Sequence, residues 1–163
     1  MAASLVRVPR PDGAEIAVQV GGPVAGPTMF LLQGQASSHD WWAGLRHRYQ
    51  DRFRTVTMDY RGTGETDAPA GDLSTELLAG DTVAVLDALG VRRAHVYGTS
   101  MGGRVAQMLA GRHPGRVQSL VMACTSPGGP QATERSNEVR KALANPDPSA
   151  RTRALAGLFY TPA

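Results

Sequence analysis

VYGTSMGGRVAQ, residues 96–107, reads as the apolar end of a strand, a tight glycine turn around a serine, and the start of a helix. Gly98, Ser100 and Gly102 satisfy G-x-S-x-G, but in a chain with 19 glycines that pentapeptide alone decides little. Its setting decides more. RAHVYGT before it is strand-like, and SMGGRVAQMLAGRHPG after it is helix-like and closed by Pro114 and Gly115. A sharp strand-to-helix turn crowds its flanks, so glycines at 98, 102 and 103 let strand and helix approach closely. Ser100 is then expected in a strained backbone conformation, its hydroxyl projecting above the sheet. The Met101 N–H, at the helix N-terminus, is placed to face a developing negative charge. The competing readings are a structural glycine–serine turn and a phosphate-binding loop. No G-x-x-x-x-G-K-S/T occurs, and neither GTGETD nor GTSMGG fits G-x-G-x-x-G.

Working outward, SLVRV and AEIAVQV alternate around the turn PRPDG and predict an opening β-hairpin. TMFLLQG is a continuous apolar run suited to a buried central strand. SSHDWWAGLRHRYQDRF, residues 37–53, has Ser37 and Ser38 as caps and Trp41, Trp42, Leu45 and Tyr49 at helical spacing. RTVTMDY is a further strand, followed by the glycine-broken loop RGTGETDAPAGD. LSTELLAGDTVAVLDALG is the clearest helix, begun by Ser74, ended by Gly90, with Leu77, Leu78, Val83, Leu86 and Leu89 on one face. RVQSLVMAC is a strand, and residues 131–163 read as two helical pieces interrupted by NPDP. Strands alternating with helices after a hairpin imply an α/β fold, a mostly parallel sheet with helices on both faces. Sites in such sheets lie beyond the carboxyl ends of the strands, which singles out QGQASS, DYRGTGETD, GTSMGG and CTSPGG.

Composition excludes several classes. The 163 residues suit one globular domain, with 42% hydrophobic and 19% charged residues. Of 17 basic residues 16 are Arg, scattered among acids for a net charge of +3, with no basic stripe to bind nucleic acid. The single cysteine, Cys124, forms neither an internal disulfide nor a Cys-based metal site, and is expected to pack as a small buried residue. The apolar runs are strand-sized and the N-terminus lacks a signal-peptide core, so no membrane span and a cytoplasmic setting are expected.

With these residues in place, the chain resembles the N-terminal part of an α/β-hydrolase over most of residues 14–130. FLLQGQASSHDWW resembles the family's oxyanion strand-loop, with Gln33-Gly34-Gln35 where His-Gly-x is usual. MDYRGTGETD resembles its D-x-R-G-x-G-x-S loop, with Thr66 where Ser is common and Asp67 next to it. HVYGTSMGG resembles the nucleophile elbow and RVQSLVMACTSPGG the strand leading into a lid. The resemblance implies Ser100 as nucleophile and the backbone N–H groups of Met101 and Gln35 as the oxyanion hole. It implies cleavage of a carboxylic ester, lactone or related acyl bond through an acyl-enzyme, with no metal and no organic cofactor. Serine rather than aspartate at position 100 argues against the branches that attack through a carboxylate. Gln35, Trp41 and Trp42 are candidates for the acyl side of the pocket, with helix packing the other reading for the tryptophans. Asp59, Arg61 and Asp67 are read as pinning their loop by charge-assisted hydrogen bonds.

The family's triad runs Ser, then acid, then His. After Ser100 the acids are Glu134, Glu138 and Asp147, and the one histidine is His113, read as a helix cap. His39 follows the oxyanion loop and is the local candidate for a substitute base, against a surface or capping role; His47 and His95 read as solvated or structural. Residues 1–130 are therefore read as the N-terminal part of an incomplete α/β-hydrolase core and 131–163 as the start of a helical lid. The acid and base are expected beyond Ala163 or on another chain. SLVMAC would form an open apolar edge, covered by a complementary C-terminal chain or a homo-oligomer. Two other classes stand beside the hydrolase: a non-catalytic binding or interaction module on the same scaffold, and a nucleotide-binding domain.

Overall fold

The computed structural model describes residues 4–129, 132–133 and 135–159. Apolar runs between glycine- and proline-rich turns become six strands: β1 Ser4–Pro9, β2 Glu15–Gly21, β3 Thr28–Leu32, β4 Arg54–Met58, β5 Ala94–Thr99 and β6 Val117–Ala123. They form one sheet in the order β1-β2-β4-β3-β5-β6. The hairpin β1–β2 and the pair β2–β4 are antiparallel, whereas β4–β3, β3–β5 and β5–β6 are parallel. This is the mostly parallel α/β sheet with an opening hairpin that the sequence predicts.

The strands alternate between two apolar faces, as a pleated sheet buried on both sides must. Phe30, Val56 and Val96 lie side by side across β3, β4 and β5 and pack with Leu78, Val85, Leu86, Val105 and Leu109. Those partners come from α2 (Thr75–Ala88) and α3 (Met101–Arg112). α2 begins where Ser74 Oγ accepts the Leu77 N–H at 3.0 Å and ends before Gly90, whose φ of +66° suits glycine. On the other face, Leu31 and Tyr97 pair across β3 and β5, and Trp42 packs on Tyr97 at a centroid distance of 5.4 Å.

Residues 37–53 depart from the expected helix. A 3-10 turn at His39–Trp42, capped by Ser38, leads into a single turn of helix, α1 (Ala43–Arg46), and the remainder is turns. The spacing misled because burial selects Trp42 alone: it is 2% exposed, while Trp41 is 58% and Leu45 37% exposed. Gly44 further weakens helix propagation there.

Cys124 also departs from expectation. It is exposed, with φ +50°, where it follows β6 at the edge of the sheet. On that edge strand Val117 and Leu120 pack against the core, while Val121 is 52% and Met122 51% exposed.

The described residues up to Gly128 form one compact unit and those from Gly129 onward a second. Within it, Ser136 caps α4 (Asn137–Leu143) through the Val139 N–H, and Asp147 accepts from Ser149 N and Ala150 N at the start of α5 (Pro148–Phe159). Among the described residues no helix is long and apolar enough to cross a membrane.

Candidate active site

From β3 the chain first moves to β4 on one side and then, through α2, crosses to β5 on the other. The carboxyl ends of β3 and β5 therefore border the topological switch point, where α/β sheets place their crevice. Gln33-Gly34-Gln35 leaves β3 there, and Ser100 leaves β5.

Each glycine of the turn is required by a close approach. A Cβ on Gly98 would lie 2.4 Å from the Gly102 carbonyl oxygen, and one on Gly102 would lie 2.2 Å from that of Leu32. A Cβ on Gly103 would lie 2.6 Å from the Thr125 side chain. With α3 pressed onto β3 and β5 in this way, Ser100 is forced to φ +52°, ψ −118°, a region that costs a non-glycine residue about 1–3 kcal/mol. The surroundings hold it there. Ser100 N donates to Ala123 O at 3.0 Å, and Ser100 O accepts from Gly103 N at 3.0 Å and from Thr125 Oγ1 at 2.7 Å. Ser100 is the N-cap of α3, yet its hydroxyl makes no capping bond, so the hydroxyl is not used up by its own helix. Met101 is the first residue of that helix, where the N–H has no intrahelical acceptor and the helix dipole favours negative charge.

The facing loop comes within reach of the serine. A Cβ on Gly34 would stand 3.6 Å from Ser100 Cβ and 4.0 Å from its Oγ, ordinary contact distances that place the loop directly beside the hydroxyl. Gln35 is exposed, and Ala36 after it has φ +57°. Gln33, standing where His is usual, is fully buried. Its Nε2 donates to Met58 O at 2.7 Å and Ser37 O at 3.4 Å, which closes the loop onto the end of β4. The Tyr60 hydroxyl donates to Gln33 O at 3.1 Å, and burial pushes that phenol's pKa far up, so it stays a donor.

The glycine-broken loop after β4 is pinned as its Asp and Arg predict, though not to each other. Asp59, fully buried, accepts from His39 N at 2.6 Å, His39 Nδ1 at 2.9 Å and Glu65 N at 2.7 Å. Arg61 makes a two-pronged pair with Asp81 of α2 at 2.7 and 2.9 Å and reaches Asp12 of the hairpin turn at 2.5 Å. These carboxylates raise its pKa further. Arg10 adds a fourth charge, 2.9 Å from Asp81. Asp67 joins Glu15 through the backbone.

His39 is buried, not the surface or capping residue expected: its Nδ1 is on Asp59 and its Nε2 is 3.3 Å from Asp40 Oδ1. His113 caps the far end of α3 by backbone, about 18 Å of helix from Ser100. His95 is bonded to Ser119 Oγ at 2.7 Å. Of the acids after Ser100, Glu138 and Asp147 lie in the second unit, and Glu134 lies outside the described residues. No cluster of three or more His, Cys, Asp or Glu suited to a metal occurs among the described residues. Two residues the sequence did not single out matter here. Thr125 holds the serine's carbonyl, and its only signal was a place just after a strand; Asp81 interrupts the apolar face of α2.

Comparison with known proteins places this geometry in company. A family described as alpha/beta hydrolase fold matches residues 27–157. The chain is 41% identical over 105 residues to "Putative carbamate hydrolase RutD" of Caulobacter segnis, covering 63% of this chain and 39% of that protein. It is 30% identical over 112 residues to 3-oxoadipate enol-lactonase 1 of Acinetobacter baylyi, covering 69% and 42%. Among solved structures, the esterase RhEst1 from a Rhodococcus species superposes with a TM-score of 0.79 at 32% identity, over 95% of this chain and 60% of that one. The chain thus spans less than half the length of these curated relatives.

Proposed function

This chain belongs to the alpha/beta hydrolase family, and on that premise we propose that it carries the nucleophile and oxyanion hole of a serine hydrolase acting on a carboxylic ester, lactone or related acyl bond. The observation that carries the reading is the backbone of Ser100, held at φ +52° by three glycine contacts beneath a loop whose Gly34 borders its hydroxyl. In the reaction proposed, Ser100 Oγ bonds to the acyl carbon while its proton passes to a base. The oxyanion is met by the Met101 and Gln35 N–H groups. The leaving alkoxide departs with that proton, and water then releases the acid by the reverse sequence. Named relatives that include a carbamate hydrolase and an enol-lactonase support acyl chemistry of this kind.

The base and its acid are proposed to come from polypeptide outside these 163 residues. His39 is engaged by Asp59 and Asp40, and His113 sits at the wrong end of α3. The same further polypeptide would cover the edge strand β6, where Val121 and Met122 are exposed; the greater part of each curated relative lies outside the matched region. Gln35 and Trp41 would border the acyl group, with Trp42 supporting them from the sheet face. A cytoplasmic site of action is part of the same proposal. Steady-state hydrolysis of activated esters by the intact protein tests the reading: Ser100→Ala should lose about a thousandfold or more in kcat. An inactive, folded intact protein that still binds small apolar ligands would instead favour the non-catalytic module.

A further inference from the structure

Ala36, a non-glycine residue at φ +57°, puts left-handed backbone in the middle of the loop that faces Ser100. Such a conformation persists only where neighbouring contacts impose it. The loop's two ends supply them. At the start, the Gln33 amide ties Met58 O to Ser37 O. At the finish, His39 meets Asp59 twice: its backbone N–H donates at 2.6 Å, and its ring Nδ1 lies 3.0 and 2.9 Å from the two carboxylate oxygens. Asp59 is fully buried, so it must be satisfied by donors within reach, and its remaining one is Glu65 N at 2.7 Å. The Tyr60 hydroxyl and the Gln33 amide tie the start of the loop after β3 to β4 and the loop that follows it, and at the far end the Asp59 carboxylate makes the tie, with the buried His39 ring as the side chain that meets it.

We propose that His39 is a positioning residue for the oxyanion hole: through Asp59 it fixes the end of the 34–38 loop and so the direction of the Gln35 N–H over Ser100. This deepens the serine-hydrolase reading and rests on it. The ring acts through Asp59 and touches neither substrate nor Ser100.

The test uses a fluorophosphonate on the intact protein. Ser100 Oγ bonds to phosphorus as the P–F bond breaks, fluoride leaving and the hydroxyl proton passing to the enzyme's base. The limiting labelling rate and the apparent probe affinity are measured separately for wild type, His39→Ala and His39→Asn, with hydrogen exchange at residues 34–38 read on the same samples. His39→Ala should slow limiting labelling about ten- to a hundredfold, less than outright loss of an oxyanion donor because the Gln35 N–H is misaligned and not removed, with affinity within about twofold. His39→Asn, whose amide N–H can still reach Asp59, should regain most of the rate. Exchange at 34–38 should quicken in the alanine variant while α2 is unchanged. Labelling and exchange at wild-type levels in His39→Ala, or an asparagine variant as slow as alanine, would overturn the proposal. Absence of labelling in wild type counts against the Ser100 reading instead, and the exchange result alone then decides whether His39 clamps the loop.

Discussion

Ser100 sits in a backbone conformation that its own side chain disfavours, and that cost is a measurable property of the residue. Ser100→Gly relieves it and Ser100→Ala does not, so the glycine variant should be the more stable by about 1 kcal/mol in denaturant titration, even though glycine has the greater unfolded-state entropy. Equal stabilities, or a less stable glycine variant, would mean the turn is not strained. The serine and its glycines were legible because only glycine survives contacts of 2.2–2.6 Å, and that demand leaves a spaced signature in the chain. Gln33 was legible as a departure from the usual His, but not the way its Nε2 bridges Met58 and Ser37, since both acceptors are backbone atoms. His39 and Cys124 were misread in opposite directions. A histidine was drawn inward by a buried carboxylate 20 residues away, and a cysteine was left exposed by an edge strand.

At the scale of elements, turn residues and apolar runs located the strands and α2, while burial overruled spacing in residues 37–53. There Trp42 turned to Tyr97 and the expected helical face dissolved. The element the sequence described least is the ionic joint between α2, the hairpin turn and the loop after β4. No local pattern announces that Arg10, Asp12, Arg61 and Asp81 converge. Removing Asp81 leaves the Arg61 guanidinium buried without its two-pronged partner, so Asp81→Ala should cost about 3–5 kcal/mol by chemical denaturation. A loss near zero would contradict a joint that bears on stability. The same joint gives an acid dependence of known sign. Its hydrogen bond from Arg61 lowers the Asp12 pKa below the ordinary 3.8, so its contribution is complete above that value and is lost as pH falls through the lower folded value. Asp12→Asn should therefore flatten the stability profile only at the acid end.

Across the whole molecule, strand order decides where chemistry can occur. Because β4 and β5 flank β3 on opposite sides, the loop after β3 and the turn after β5 meet at one crevice, and the sequence's rule about strand ends found both. What strand order does not supply is a proton acceptor for Ser100: His39 and His95 are bonded elsewhere, and His113 sits at the far end of α3. Under the proposed function, this turn arms a nucleophile within a larger hydrolase. Peptide mapping after fluorophosphonate treatment of the intact protein tests it most directly. A stoichiometric adduct on Ser100, absent in Ser100→Ala, is the predicted result; an unmodified Ser100 in folded intact protein, or an adduct on another residue, would contradict it.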